Sequence, residues 1–203
     1  MNEIKTNNNL HIEGFFDEQT STISYVVHDN IEKKCAVIDS VLDFDYSSGD
    51  IDYVNADKII SYIERNKLNV EWLIETHVHA DHLSASPYIQ KKLGGEIGIS
   101  EKISDIQNIF GKTFNAGTEF QRDGSQFDKL FKDNDEYKIG NINCKVINTP
   151  GHTPACTAHV IENSIFVGDT LFMPDLGSAR ADFPGGDARQ LYRSIQKLSL
   201  IHI

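Results

Sequence analysis

Apolar and polar residues alternate near the start of the chain over three short stretches, His11 to Phe16, Ser21 to His28 and Cys35 to Asp39, with Asp29-Asn30 as turn residues between the last two. A period of two predicts β-strands with one face buried. The spacing then changes: Ala56, Ile59, Ile60 and Ile63 recur as on a helix, and Asn69 to Glu75, with Val70, Trp72, Leu73 and Ile74, reads as a buried strand. Ser86-Pro87 predicts a helix start, because serine can cap and proline suits the first turn, and Gly94-Gly95 predicts its end before a strand over Glu96 to Ser100.

Residues 101 to 135 give an amphipathic piece up to Phe110, then a Gly-, Asp- and Lys-rich connection carrying Phe114, Phe120, Phe127 and Phe131, expected to be an insertion on the substrate side. From Tyr137 the strand signal returns over Asn141 to Asn148, Cys156 to Ile161 and Ser164 to Val167. A helix over Asp187 to Leu198 follows, with Leu191, Ile195 and Leu198 on one face. Strand–helix alternation of this kind predicts a mixed α/β fold.

The 203 residues suit one mid-sized domain, and 39% hydrophobic with 24% charged residues is the balance of a soluble globular chain. A net charge of −11 repels polyanions, so neither nucleic acid nor an anionic membrane is an expected partner. Cys35, Cys144 and Cys156 form no pairing motif and no apolar leader follows Met1, which fits three buried thiols and a cytoplasmic location.

The chemistry is concentrated in Thr76-His77-Val78-His79-Ala80-Asp81-His82, directly after an apolar strand. Imidazoles crowded at a strand end have few internal partners, whereas a divalent cation satisfies several at once, and alternate residues of an extended segment point the same way. Two further candidates follow strands: His152, in the rigid turn Thr149-Pro150-Gly151-His152-Thr153-Pro154, and Asp169, in Val167-Gly168-Asp169-Thr170. His11, His28 and His159 lie in alternating β segments and are expected to be structural.

These motifs, His77-Val-His79-Ala-Asp81-His82, Pro150-Gly151-His152-Thr153 and Gly168-Asp169-Thr170, resemble in order and spacing those of the metallo-β-lactamase superfamily. The resemblance implies a four-layer αββα sandwich, here with its second half incomplete. In the dinuclear hydrolases of that family it would assign His77, His79 and His152 to one metal, Asp81 and His82 to another, and Asp169 as the bridge. Glu75-Thr76-His77, Met173-Pro174-Asp175-Leu176-Gly177 and Gly177-Ser-Ala-Arg180-Ala-Asp182-Phe183 are similar to the glyoxalase II and persulfide dioxygenase branch.

That branch implies one iron(II) on His77, His152 and Asp169, dioxygen as co-substrate, and oxidation of glutathione persulfide or a related persulfide to sulfite and thiol in sulfide detoxification. His79, Asp81 and His82 would then orient the ligands, with Asp81 and His82 beside the reaction. Arg180 would support the site or meet a substrate carboxylate with its planar fork, a surface ion pair being its other reading. The alternative is a hydrolase of glutathione thioesters with two zinc ions or mixed iron and zinc, and a third reading is a metal-binding relative without catalysis. A homodimer is one assembly open to such a chain. The family chain normally continues beyond this point and carries another site histidine. Residues 198–203 read like a translated sequencing adapter, so the domain is expected to be residues 1–197, C-terminally truncated, and His202 is not that missing histidine.

Overall fold

The computed structural model describes residues 9–201, with side chains through residue 199; His202 lies outside them. The chain opens with strands β1 (Leu10–Asp17), β2 (Thr22–Asp29), β3 (Lys34–Ile38), β4 (Val41–Phe44) and β5 (Ile51–Asp52), followed by helix α1 (Val54–Arg65). Next come β6 (Asn69–Ile74), β7 (Leu83–Ser84), α2 (Ser86–Leu93), β8 (Glu96–Ser100), α3 (Ile103–Thr113) and β9 (Lys129–Phe131). The chain continues through β10 (Glu136–Ile139), β11 (Ile142–Asn148), β12 (Thr157–Ile161), β13 (Ser164–Phe166), a single 3-10 turn over Gly168–Thr170 and α4 (Ala188–Ile201). Two compact units result: one holds residues up to Ile74 with Asp81–Gly95 and Lys138–Asn143, the other Glu75–Ala80, Glu96–Tyr137 and the chain from Cys144 onward.

In the first unit β1 and β2 pair antiparallel over their full length, from Leu10 opposite Asp29 to Asp17 opposite Thr22. β3 joins β2 antiparallel and β6 parallel. Cys35, Ala36, Val37 and Ile38 are all buried, as a strand covered on both faces requires, and burial pushes the Cys35 thiol up to about 12. The buried face of α1 is Ala56, Ile59, Ile60 and Ile63, the set its periodicity predicted. The Asp29 carboxylate accepts the N–H groups of Ile31, Glu32 and Asn141, so this one buried side chain ties the β2–β3 turn to a distant loop. Ser86, however, does not cap α2. Its hydroxyl is buried against Ser40 Oγ at 3.2 Å, and Ser84 Oγ accepts the Ser86 N–H instead.

In the second unit β8 and β9 run parallel, and β11, β12 and β13 form an antiparallel ladder. Its core joins Ile99, Ile103, Ile106 and Ala155, with Val78, Phe110, Phe127 and Leu130 packed against them. The segment expected to be an insertion is therefore partly core. Phe131 is fully buried on β9, and Gly98 faces it because a Cβ there would come within 2.5 Å of the ring. Phe114 and Phe120, in the segment's middle, are exposed. One short β-strand inside a polar connection leaves little periodicity to read, which is why β9 was not anticipated.

Candidate metal centre

His77, His152 and Asp169 come from three separate segments of the second unit, and each is set by its local backbone. Thr76 is anchored first, its carbonyl accepting both the N–H (2.9 Å) and the hydroxyl (3.0 Å) of Thr157 on β12. Gly168 follows a strand with φ +49°, and a Cβ there would stand 2.4 Å from Thr76 Oγ1; only glycine lets this turn deliver Asp169 beside His77.

The turn carrying His152 is held from behind by the start of α4. Gly151 adopts φ +145°, where a Cβ would collide with the Leu191 backbone at 2.2 Å. Its carbonyl accepts the Asp187 N–H at 2.8 Å, while Ser194 Oγ donates to Pro150 O at 2.7 Å. Asp187 itself accepts the N–H groups of Arg189 and Gln190, satisfying donors that the first turn of a helix leaves open.

Both imidazoles point Nε2 at the same carboxylate oxygen: His77 and His152 each stand 3.6 Å from Asp169 Oδ2. All three donor atoms lie within 4.8 Å of one another. A separation of 3.6 Å is too long for a hydrogen bond. It is close to the ~3.0–3.5 Å between two donors that each stand ~2.1 Å from a shared ion. The opposite ring nitrogens are engaged: His77 Nδ1 meets Thr76 Oγ1 at 3.1 Å, and His152 Nδ1 meets the Arg180 carbonyl at 2.8 Å. A carbonyl only accepts, so His152 carries its proton on Nδ1 and offers the Nε2 lone pair to the centre, the pattern of metal-ligating histidines. Two buried imidazoles and a part-exposed carboxylate therefore fit a divalent ion.

The other expected site residues stand differently. His79 lies against His77, ring centroids 4.2 Å apart, and its Nε2 is 3.0 Å from Glu75 Oε2, with both side chains buried. Asp81 and His82 belong to the first unit. There the Asp81 carboxylate accepts the Thr22 hydroxyl at 3.2 Å and its carbonyl the Tyr46 hydroxyl at 3.0 Å, while buried His82 meets Leu83 O through Nδ1 at 3.1 Å. The Arg180 guanidinium makes the surface ion pair, gripping Asp182 at 2.5 and 2.8 Å and lying 4.9 Å over the Phe183 ring. Phe183 in turn meets His152 edge-on at 5.2 Å. Sequence reasoning placed Arg180 near the site for its charge, but its backbone carbonyl is what touches His152. A carbonyl leaves no residue-type signal, so it was not legible beforehand; Phe183 was legible only as part of the motif over residues 177–183, not as a neighbour of His152.

Residues 18–201 match the family described as the metallo-β-lactamase superfamily. The chain belongs to that superfamily, and with it to a family of enzymes. This superfamily member is 51% identical over 199 residues to a probable metallo-hydrolase of Burkholderia pseudomallei, covering 93% of this chain and 68% of that one. It is 45% identical to glyoxylase B2 of Dictyostelium discoideum (94% of this chain, 66% of that one) and 26% identical to the human mitochondrial persulfide dioxygenase ETHE1 (90% and 60%). The crystal structure of ETHE1 from Myxococcus xanthus superposes with a TM-score of 0.72 at 24% identity, covering 93% of this chain and 69% of that one, a likeness of fold. The chain thus spans 60–68% of the length of these three curated relatives.

Proposed function

We propose that the chain is the catalytic part of a metal-dependent hydrolase acting on a thioester of a small thiol such as glutathione. A metal-dependent reaction rests on one observation, the convergence of His77 Nε2, His152 Nε2 and an Asp169 oxygen on a common point. The hydrolytic reading draws support from kinship at 51% with a probable metallo-hydrolase and at 45% with a glyoxylase. In that reaction water adds to the thioester carbon, the C–S bond breaks, and the thiol leaves with a proton. A divalent ion held by these three residues supplies Lewis acidity toward a carbonyl or, as iron, one-electron chemistry with dioxygen. The chain's own part is to aim Nε2 of both imidazoles at a common point, through the Thr76 hydroxyl behind His77 and the Arg180 carbonyl behind His152. The exposed Arg180 guanidinium is the candidate contact for a substrate carboxylate.

A second reading, oxidation of a glutathione-type persulfide, is favoured by a specific feature of the site. With Glu75 on Nε2 of His79, the set gathered around Asp169 is two histidines and one carboxylate, the arrangement used by non-haem iron(II) oxygenases. Dioxygen and one water would supply the three oxygens of sulfite while the outer sulfur leaves and the thiol is regenerated. The sequence ranked oxidation first, whereas the relatives named here give hydrolysis the greater support.

One experiment separates the two. The protein is purified anaerobically, its metal content measured, and oxygen uptake with glutathione persulfide followed beside hydrolysis of lactoylglutathione. Thioester turnover without oxygen consumption is the expected result. Oxygen uptake with a single iron per chain reverses the order, and a metal-loaded protein inert toward both substrates rejects both.

A further inference from the structure

Among the described residues, a buried polar chain lies behind the centre and neither reaction uses it. Tyr137 on β10 meets His159 Nδ1 through its hydroxyl at 3.0 Å, and His159 Nε2 meets Thr157 Oγ1 at 3.3 Å, both histidine and threonine on β12. Thr157 Oγ1 then donates to Thr76 O at 3.0 Å. His159 is completely buried, with Thr157 and Thr76 almost so, and Phe131 packs edge-on against the His159 ring at 5.6 Å.

The proton order follows from that geometry. Thr157 gives its only hydroxyl proton to the Thr76 carbonyl, so on its other side it must accept, and His159 must carry its proton on Nε2. His159 Nδ1 is then an acceptor, and Tyr137 donates to it, with the Cys144 thiol as a second partner of the same hydroxyl; burial first, and Cys144 beside it, hold the phenol protonated well above the ordinary range. Every bond thus points the same way, Tyr137 to His159 to Thr157 to Thr76. A buried network with all members satisfied is rigid, and one broken link exposes the rest to an uncompensated desolvation cost.

Thr76 is where this chain meets the ligands. Its side chain touches His77 Nδ1 and sits against the Gly168 turn that carries Asp169, so its position backs the ring of one candidate ligand and limits the placement of another. We propose that Tyr137, His159 and Thr157 are positioning residues for the metal centre, acting through Thr76 to hold His77 with its proton on Nδ1 and its Nε2 lone pair toward Asp169. The inference rests on the reading of His77, His152 and Asp169 as a metal site.

Its test uses the full chain and zinc alone as the probe. Thr157→Val keeps the shape of the side chain and removes the hydroxyl, Thr157→Ser restores it, and Tyr137→Phe cuts the far end. Zinc affinity is measured by competition with a chelator, the tautomer of His77 by nitrogen NMR on histidine-labelled protein without metal, and folding by thermal unfolding of the same samples. Thr157→Val is expected to weaken zinc binding about tenfold and to mix the His77 tautomers, with Tyr137→Phe smaller in the same direction and Thr157→Ser near the parent. If Thr157→Val does not fold, the Tyr137→Phe readings decide. Variants that lose thermal stability yet keep the parent's zinc affinity within twofold and its His77 tautomer would overturn the proposal. A parent that binds no zinc instead rejects the underlying metal site.

Discussion

Two buried histidine environments, one in each unit, show how little the residue type by itself decides. In the first unit His28 is buried with Nε2 3.2 Å from the Tyr62 hydroxyl, His11 tilted against it at 4.8 Å, and Nδ1 without a hydrogen-bond partner. Its surroundings are rings, and burial followed by the nearby His11 and Lys33 lowers its pKa from 6.5 to about 4. In the second unit His77 and His152 are equally buried, but their outer nitrogens are fixed by Thr76 and Arg180 and their inner ones face a shared carboxylate. Desolvation alone makes an inert neutral imidazole; desolvation with an oriented backing and a facing carboxylate makes a ligand.

Removing the carboxylate tests that contrast most severely. Asp169→Ala leaves His77 and His152 as a pair of backed imidazoles, and zinc affinity is expected to fall on the order of 100-fold or more, measured by chelator competition. Retention of parent affinity would place the ion elsewhere.

The first-unit environment answers through pH. The folded pKa of His28 lies below its unfolded value, so the unfolded chain takes up the proton first. No penalty exists above about 6.5, and stability is lost as pH falls from there toward 4. The loss is on the order of 3–4 kcal/mol at most, because each tenfold weakening of proton affinity on folding is worth ~1.4 kcal/mol. Urea unfolding of the parent and of His28→Phe across pH 4–7 checks this; the variant should lack that part of the slope, and an identical slope in both would clear His28 of it.

The smallest effect is expected at the edge of the centre. Arg180→Ala removes an exposed ion pair and keeps the carbonyl that holds His152, so the thermal unfolding midpoint should stay close to the parent's. A raised KM with unchanged metal affinity would be the mark of a guanidinium that meets substrate. A loss of metal affinity would show instead that the Arg180–Phe183 stack matters for His152.

Legibility from sequence followed the range of the signal. The helical face of α1, the buried strand β6 and the ends of α2 were readable because each depends on neighbours three or four residues away. The short strands β4, β5, β7 and β9 were not, since two to four residues hold too little of any period. Within the site, His77, His152 and Asp169 stood out by type and turn chemistry. The Arg180 carbonyl and the partners that link Tyr137, His159 and Thr157 to Thr76 did not; His159 is the hydrogen-bonded, buried structural histidine its alternating segment predicted, but the residues it bonds were not legible.

What the amino-acid order settled by itself was the set of elements and the motif residues placed at their ends, because propensity, alternation and glycine or proline turns act within a few bonds. Tertiary structure alone brought atoms 75 and 92 residues apart in the chain, on His77, His152 and Asp169, to within 4.8 Å of one another. It also chose which nitrogen of each ring faces inward. For His152 that choice is made by a carbonyl 28 residues away, of which a linear pattern carries no record; for His77 the backing hydroxyl is on its neighbour Thr76, but Thr76 is itself anchored by Thr157, 81 residues on.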